Sequence, residues 1–275
     1  MPSSAISPAQ WSAAALDPAV LGRLALGHGL DDWQADFCRR AAAVIPAGRP
    51  PVRAVVVCAR QSGKTTGAAV AAAHRAWTRP GSVVLAVGPT QQHSANVVQR
   101  VRQVAELLPG DGQPAASSRT RLELRNRSVV VGLPGDTPSS ARGWTADLVI
   151  CDELGWFKAE TWEALQSTVD ARNGGIVGCS TPNGRQGPLW RVVSGSAGRW
   201  DVTTVTADDV PRLDRAMLDE RRAILGRERF SVEYECQFIG SSTSAFTPRI
   251  TAERDVDALA GGYFDRLRAL AGGAA

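Results

Sequence analysis

The stretch VVVCARQSGKTTGAAVAAAHRAW, Val55–Trp77, decides the fold. Three consecutive valines read as a buried strand, Gly63-Lys64-Thr65 as a tight turn, and the alanine-rich run behind them as a helix. A phosphate-binding loop needs this layout: backbone N–H groups turned inward, a helix N-terminus behind them, a Lys for the outer phosphates and a hydroxyl for Mg²⁺. Gly63 supplies the turn, Lys64 the cation and Thr65 the hydroxyl, while Arg60, Gln61, Ser62 and Thr66 complete the loop. In the pattern G-x-x-x-x-G-K-[ST], the first glycine would stand at Cys58. Its loss is tolerable where the backbone at Cys58 keeps a negative φ, because only a positive φ or a close ligand approach demands glycine.

Two further strand ends carry matching chemistry. DLVICDEL is an apolar strand ending in Asp152 and Glu153. In that arrangement an Asp completes the Mg²⁺ shell and a Glu polarises the attacking water. IVGCSTPNG is another apolar strand, ending in Ser180 and Thr181. Placed between the loop strand and the Asp-Glu strand, it would bring those hydroxyls to the γ-phosphate.

Apolar strand patterns over 53–58, 82–87, 148–152, 176–180 and 202–206 alternate with helical patterns over 31–43, 64–77, 91–108 and 159–171, with two more helices after Pro211. Alternation of this kind predicts an α/β fold with a mostly parallel central sheet flanked by helices. With the loop, it predicts a P-loop NTPase of the additional-strand, RecA-like type. RTRLELRNRSVVVGLP alternates apolar and polar residues around an Asn126-Arg127 turn, which predicts an inserted β-hairpin. The expected organisation is an N-terminal arm over 1–30, the ATPase domain over 31–240, and a linker with a short tail over 241–275.

A chain of 275 residues with 44% apolar content can bury a full core. Five cysteines, widely spaced and without a C-x-x-C pair, indicate neither a disulfide framework nor a zinc site. No apolar run approaches the roughly 18 residues that span a bilayer, and the start of the chain lacks the pattern of a secretory signal. A cytoplasmic location, with no membrane partner, is the expectation. The net charge of +4 permits a polyanionic partner without demonstrating one.

In this order the motifs resemble the ATPase domain of the large terminase subunit of tailed bacteriophages, the motor that drives double-stranded DNA into the capsid. DDWQADFCRR is similar to the family's adenine-side motif, CARQSGKTT to its variant phosphate loop with an Arg inside, and GPTQQHSANVVQRV to its next strand and helix. SSARGWTADLVICDE and CSTPNG complete the series, so the resemblance covers about Asp31 to Ile239. It implies ATP and Mg²⁺ as cofactors, Gln34 as the adenine reader, and Arg60 as a phosphate contact or gate. It also implies that Arg142, in SARGW, completes the active site of a neighbouring subunit in a homo-oligomeric ring. The alternative for Arg142 is an ion pair with Asp136 or Asp147. Portal and small terminase subunit are the partners the family implies.

A motor must grip DNA without reading its sequence, which calls for Lys and Arg that meet backbone phosphates singly. Arg100, Arg102, Arg121, Arg125 and Arg127 are the candidates. Large terminases usually continue into a two-metal nuclease, and the 35 residues after Gly240 are too few for one. DNA cleavage is therefore expected from another chain, or this chain is a truncated gene or an excised domain. A helicase-like P-loop ATPase and a non-hydrolysing, nucleotide-dependent DNA-binding adaptor remain the other readings.

Overall fold

The structure, a computed structural model, describes residues 6–43 and 50–240. Eight strands form one sheet in the order β3-β4-β5-β2-β6-β7-β1-β8. They are β1 (Arg53–Cys58), β2 (Val83–Gly88), β3 (Pro114–Ser117), β4 (Arg121–Leu124), β5 (Val129–Pro134), β6 (Leu148–Asp152), β7 (Gly175–Ser180) and β8 (Asp201–Val205). β5, β2, β6, β7, β1 and β8 run parallel, whereas β3 and β4 pair antiparallel at one edge. β7, which carries CSTPNG, lies between β1 and β6 as the sequence predicts.

Alternation along each strand sends side chains to two separate cores. Val56, Cys58, Val84, Ala86, Leu148, Ile150 and Val177 face one; Val55, Val57, Leu85, Val87, Val149 and Ile176 face the other. The first core is roofed by α1 (Pro8–Leu16), α2 (Pro18–Leu26), α3 (Asp32–Ala42), α4 (Lys64–Thr78) and α5 (Gln91–Ala105). The second is roofed by α6 (Ala159–Thr168), α7 (Gly187–Val193) and α8 (Arg215–Glu233). Small side chains let α4 sit deep: Ala68, Ala69, Ala71, Ala72, Ala73 and Ala76 are all buried. Such packing fixes the loop that feeds α4.

Three elements differ from expectation. Within the expected arm, α1 and α2 are helices whose Ala14 and Leu21 are fully buried in the first core. The Ser7 capping box and the Asp17 cap set their starts, signals that the short helices offered and the pattern reading passed over. The hairpin gains a third strand, β3, with a bulged register against β4. The two helices expected after Pro211 are the two halves of α8, joined where Gly226 takes φ 72°. The linker and tail expected over 241–275 lie outside the described residues.

Candidate nucleotide site

The loop between β1 and α4 meets the carboxyl ends of β6 and β7. Cys58 closes β1 fully buried, and the positive φ angles of the loop fall on Gln61 (61°) and Gly63 (90°). The missing glycine therefore costs nothing in backbone strain. Gly63 is different: a Cβ there would lie 2.5 Å from Gln34 Nε2 and 2.7 Å from Arg212 Nη2. Left-handed φ and close neighbours both require glycine at this point.

Lys64 is buried, with its Nζ donating to Ala59 O at 3.2 Å and standing 3.4 Å from Glu153 Oε1. Burial works against its charge, but the acidic groups around it (Cys58, Glu153, Cys179 and Asp152) outweigh burial and raise its pKa. Thr65 Oγ1 donates to Asp152 Oδ2 at 2.8 Å. Burial raises the Asp152 carboxyl above its ordinary range, and the Thr65 hydrogen bond opposes that rise. Glu153 itself sits in the left-handed region, φ 61°, with its N–H bonded to Cys179 O at 2.8 Å. That turn at the end of β6 directs the carboxylate back toward Lys64.

Ser180 and Thr181 serve the carboxylate. Glu153 Oε2 lies 3.3 Å from Ser180 Oγ, 3.3 Å from the Thr181 N–H and 3.4 Å from Thr181 Oγ1. Ser180 also accepts from the Gly155 N–H at 3.0 Å and is completely buried. Ser180 Oγ, which also donates to Thr181 O at 2.8 Å, stands beside the Glu153 carboxylate, and Thr181 approaches the same oxygen.

Gln34 and Arg60 have partners of their own within the chain. Gln34 is buried, its Oε1 accepting from the Asp31 N–H (2.8 Å) and its Nε2 donating to Gly63 O (3.0 Å). Its amide braces α3 against the loop, and reading adenine would require those bonds to break. Trp33 beside it packs on the first core. Arg60 turns away from the cradle: its Nη1 pairs with Glu233 Oε2 at 2.7 Å, and its N–H bonds Glu233 O at 2.7 Å. Gln61 is exposed, Ser62 is buried, and Thr66 joins the first turn of α4 through Gly63 O.

Sequence reasoning missed Arg212. Its guanidinium grips Asp31 through Nε and Nη2, the latter at 2.8 Å from Oδ2, and Nη2 also donates to Ser62 O. Because a peptide's C=O and N–H point in opposite directions, holding the Ser62 carbonyl outward turns the Gly63 N–H inward. No local motif marks Arg212, which lies 150 residues from the loop it shapes.

Among the described residues no group of three or more His, Cys, Asp or Glu could hold a metal. The Thr65 hydroxyl and Asp152 carboxylate are hard oxygen donors in direct contact, which suits Mg²⁺. That ion is held by one or two protein oxygens, with phosphates and waters completing its shell.

A sequence profile described as "Terminase large subunit, T4likevirus-type, N-terminal" matches residues 55–250. The chain belongs to the terminase large subunit family. It is 28% identical to the terminase large subunit of Thermus virus P23-45, over 71% of this chain and 47% of that protein, and 27% identical to that of Thermus phage G20c over the same shares. The chain spans about half the length of these curated relatives. Its fold is similar to the solved ATPase domain of the large terminase of Thermus phage P74-26, with 24% identity, TM-score 0.64, and coverage of 81% of this chain and 99% of that one. The large terminase of another thermophilic bacteriophage, solved in complex with ADP, is similar at 9% identity and TM-score 0.60, over 76% and 54% of the two chains. Among the described residues no helix is long and apolar enough to cross a membrane.

In this terminase chain the arginines expected to grip DNA do not share one face. Arg100 and Arg102 are two apart on α5, which places them on opposite sides of the helix. Arg102 pairs with Glu106 (3.1 Å) and reaches Ser117 Oγ on β3, and Arg121 stands 3.7 Å from Glu123. Arg125 and Arg127 are exposed at the far end of β4, around the hairpin turn. Arg119, bonded to Gln92 of α5, is a further arginine of this edge that was not anticipated.

Arg142 is exposed after a 3-10 turn (Pro138–Ala141), with no ion pair among the described residues. The alternative partners are otherwise engaged: Asp147 with Arg172 (2.6 Å) and the Val83 N–H (2.8 Å), Asp136 with the Thr137 hydroxyl.

Proposed function

We propose that the chain binds ATP with Mg²⁺ and hydrolyses it to drive double-stranded DNA into a phage capsid. One observation carries the chemistry: Lys64 stands 3.4 Å from Glu153 while Thr65 contacts Asp152 at 2.8 Å. Cation, base and metal ligands thus converge at the mouth of one loop. Lys64 and the inward N–H groups bind the β- and γ-phosphates; Thr65 and Asp152 would hold Mg²⁺, which would supply neutralisation of the charge developing on them. Glu153, oriented by Ser180 and Thr181, takes a proton from a water whose oxygen bonds to the γ-phosphorus. The bond from that phosphorus to the bridging oxygen breaks, and ADP leaves with the electron pair.

The test is phosphate release with and without DNA. Hydrolysis that DNA stimulates, and that Lys64→Ala abolishes, supports the reading. Nucleotide binding without release would instead make the chain a non-hydrolysing adaptor.

The free guanidinium of Arg142 supports action on a neighbour's nucleotide in a homo-oligomeric ring. Mixing Arg142→Ala with Lys64→Ala subunits then restores part of the activity, since an adjacent pair retains one site with an intact loop and an intact Arg. Activity that is independent of concentration, with no rescue on mixing, would place Arg142 in its own subunit or outside the reaction. Portal and small terminase subunit, in the host cytoplasm, are the partners and setting that this reading requires.

A further inference from the structure

The amino-terminal edge of the sheet gathers positive charge around a cavity. Six residues of β1 separate that edge from the phosphate loop, roughly 20 Å at the usual rise per residue. The cavity, about 120 Å³, is lined by Arg75, Arg79 and Arg172 together with Val52, Asn173 and Gly175. That is several times the room one water needs. Arg75 and Arg79 are four apart at the end of α4, so they project from one side, and Arg172 arrives from the turn after α6.

Little opposes this charge. Arg172 Nη1 pairs with Asp147 Oδ2 at 2.6 Å, and Arg75 Nη2 donates to the Asp147 carbonyl at 3.3 Å. Arg75 Nε is buried without an acceptor among the described residues. No ion pair holds the Arg79 side chain among them either. Among the described residues the contacts of the three arginines therefore reach one acidic residue, Asp147, and the C-terminal dipole of α4 offsets only about half a charge more. Burial, and next the like charge of Arg79, push the Arg75 guanidinium below its ordinary pKa. Buried donors without partners and uncompensated charge are costly unless an anion completes them. Among the described residues, small walls at Ala41, Ala43, Val52 and Gly175 line the rest of the cavity beside the arginine forks.

We propose that this cavity is a second anion site, which binds a phosphate oxyanion, free or carried on a polynucleotide backbone, apart from the nucleotide loop. Arginine forks match phosphate oxygens in pairs, which a solvated helix end does not need. The inference does not depend on whether the loop hydrolyses ATP.

The experiment compares wild type, Lys64→Ala, Arg79→Gln and Arg79→Lys by thermal denaturation, at constant ionic strength, against inorganic phosphate and a short DNA duplex. Phosphate should raise the midpoint in Lys64→Ala as in wild type, and Arg79→Gln should weaken its apparent affinity about tenfold, with partial recovery in Arg79→Lys. If the duplex also weakens in Arg79→Gln and its log-affinity against log-salt slope flattens by about one, the phosphate is a DNA backbone group; if only inorganic phosphate responds, the free anion is the ligand. Arg172→Gln gives an independent variant should Arg79→Gln fold poorly. Indifference of both ligands to Arg79 and Arg172, or loss of all phosphate response in Lys64→Ala with none left for the duplex, overturns the proposal.

Discussion

Glu153→Gln separates the two tasks that the structure gives this carboxylate. Gln has the same length and the same tolerance of φ 61°, so the turn after β6 is preserved. Losing a positioned base lowers the rate by about 10²–10⁴, roughly 3–5 kcal/mol of barrier. Binding should move the other way. Glu153 Oε1 is the ion-pair partner of Lys64 at 3.4 Å, and that partner must be surrendered before Lys64 can serve a phosphate. With Lys64 buried and Glu153 mostly so, the pair is worth roughly 1–2 kcal/mol, between an exposed ion pair and a charge-assisted hydrogen bond. Glu153→Gln is therefore expected to bind ATP about 5–30-fold more tightly while hydrolysing it at least about a hundredfold more slowly. Single-turnover phosphate release measures the first-order step, and equilibrium titration with a fluorescent ATP analogue measures affinity. Turnover within about threefold of wild type would remove Glu153 from the role of base. Weaker binding would refute the competition for Lys64 even if hydrolysis is lost.

Gly63→Ala forces an L-residue into φ 90° and drives its Cβ against Gln34 and Arg212. It should cost at least about 1–2 kcal/mol of stability and most nucleotide affinity; a melting temperature and ATP affinity equal to wild type would show that the loop relaxes freely. Glu233→Gln releases Arg60 from its 2.7 Å pair and is expected to lower the KM for ATP severalfold, whereas an unchanged KM would confine Arg60 to bracing α8. His74 is buried with Nε2 on Ala15 O at 3.1 Å, and burial lowers its pKa from 6.5 to about 4. Between those values the unfolded chain binds a proton that the folded chain refuses, so stability falls as pH drops from about 6.5 to about 4, by roughly 3 kcal/mol. His74→Gln should flatten urea-midpoint profiles across that window, and a slope equal to wild type would assign the acid sensitivity to other groups.

The fold was legible wherever long apolar periodicity coincided with chemistry. β1 and β6 are found at the predicted residues, and β2, β7, β8, α3 and α4 within one residue at either end, because uninterrupted Val, Ile and Ala runs leave few alternatives. α1 and α2 were not, since nine-residue helices announced chiefly by caps give a weak periodic signal. β3 was hidden for a similar reason: PAAS has neither alternation nor bulk, and it is a strand only because β4 offers it an edge. Within the site, Lys64, Thr65, Asp152 and Glu153 could be read because each lies at a strand or helix end with its chemistry in sequence. Ser180 was located correctly at the end of β7, but its burial could not be read, because it depends on the close approach of Gly155, where an added Cβ would lie 3.0 Å from Ser180 Oγ.

What the motif alone leaves undetermined is the shape of the loop, and the structure shows why. Successive loop residues are held from outside by different elements: Arg60 by Glu233 at the end of α8, Ser62 by Arg212 ahead of α8, and Gly63 by Gln34 of α3. Asp31 joins the last two, since its N–H caps onto Gln34 while its carboxylate grips Arg212. The inward N–H groups are consequently a property of three distant segments meeting, and two of the three tethers come from the stretch 212–233. A shift that carried both halves of α8 together relative to the sheet would alter Arg60 and Ser62 together, and so change phosphate affinity without touching Lys64, Thr65 or Glu153. By reciprocity, phosphate that favours one loop shape must favour one position of α8 by the same free energy. The segment that carries Arg212 and Glu233 is thus tied to the phosphate loop at two separate points.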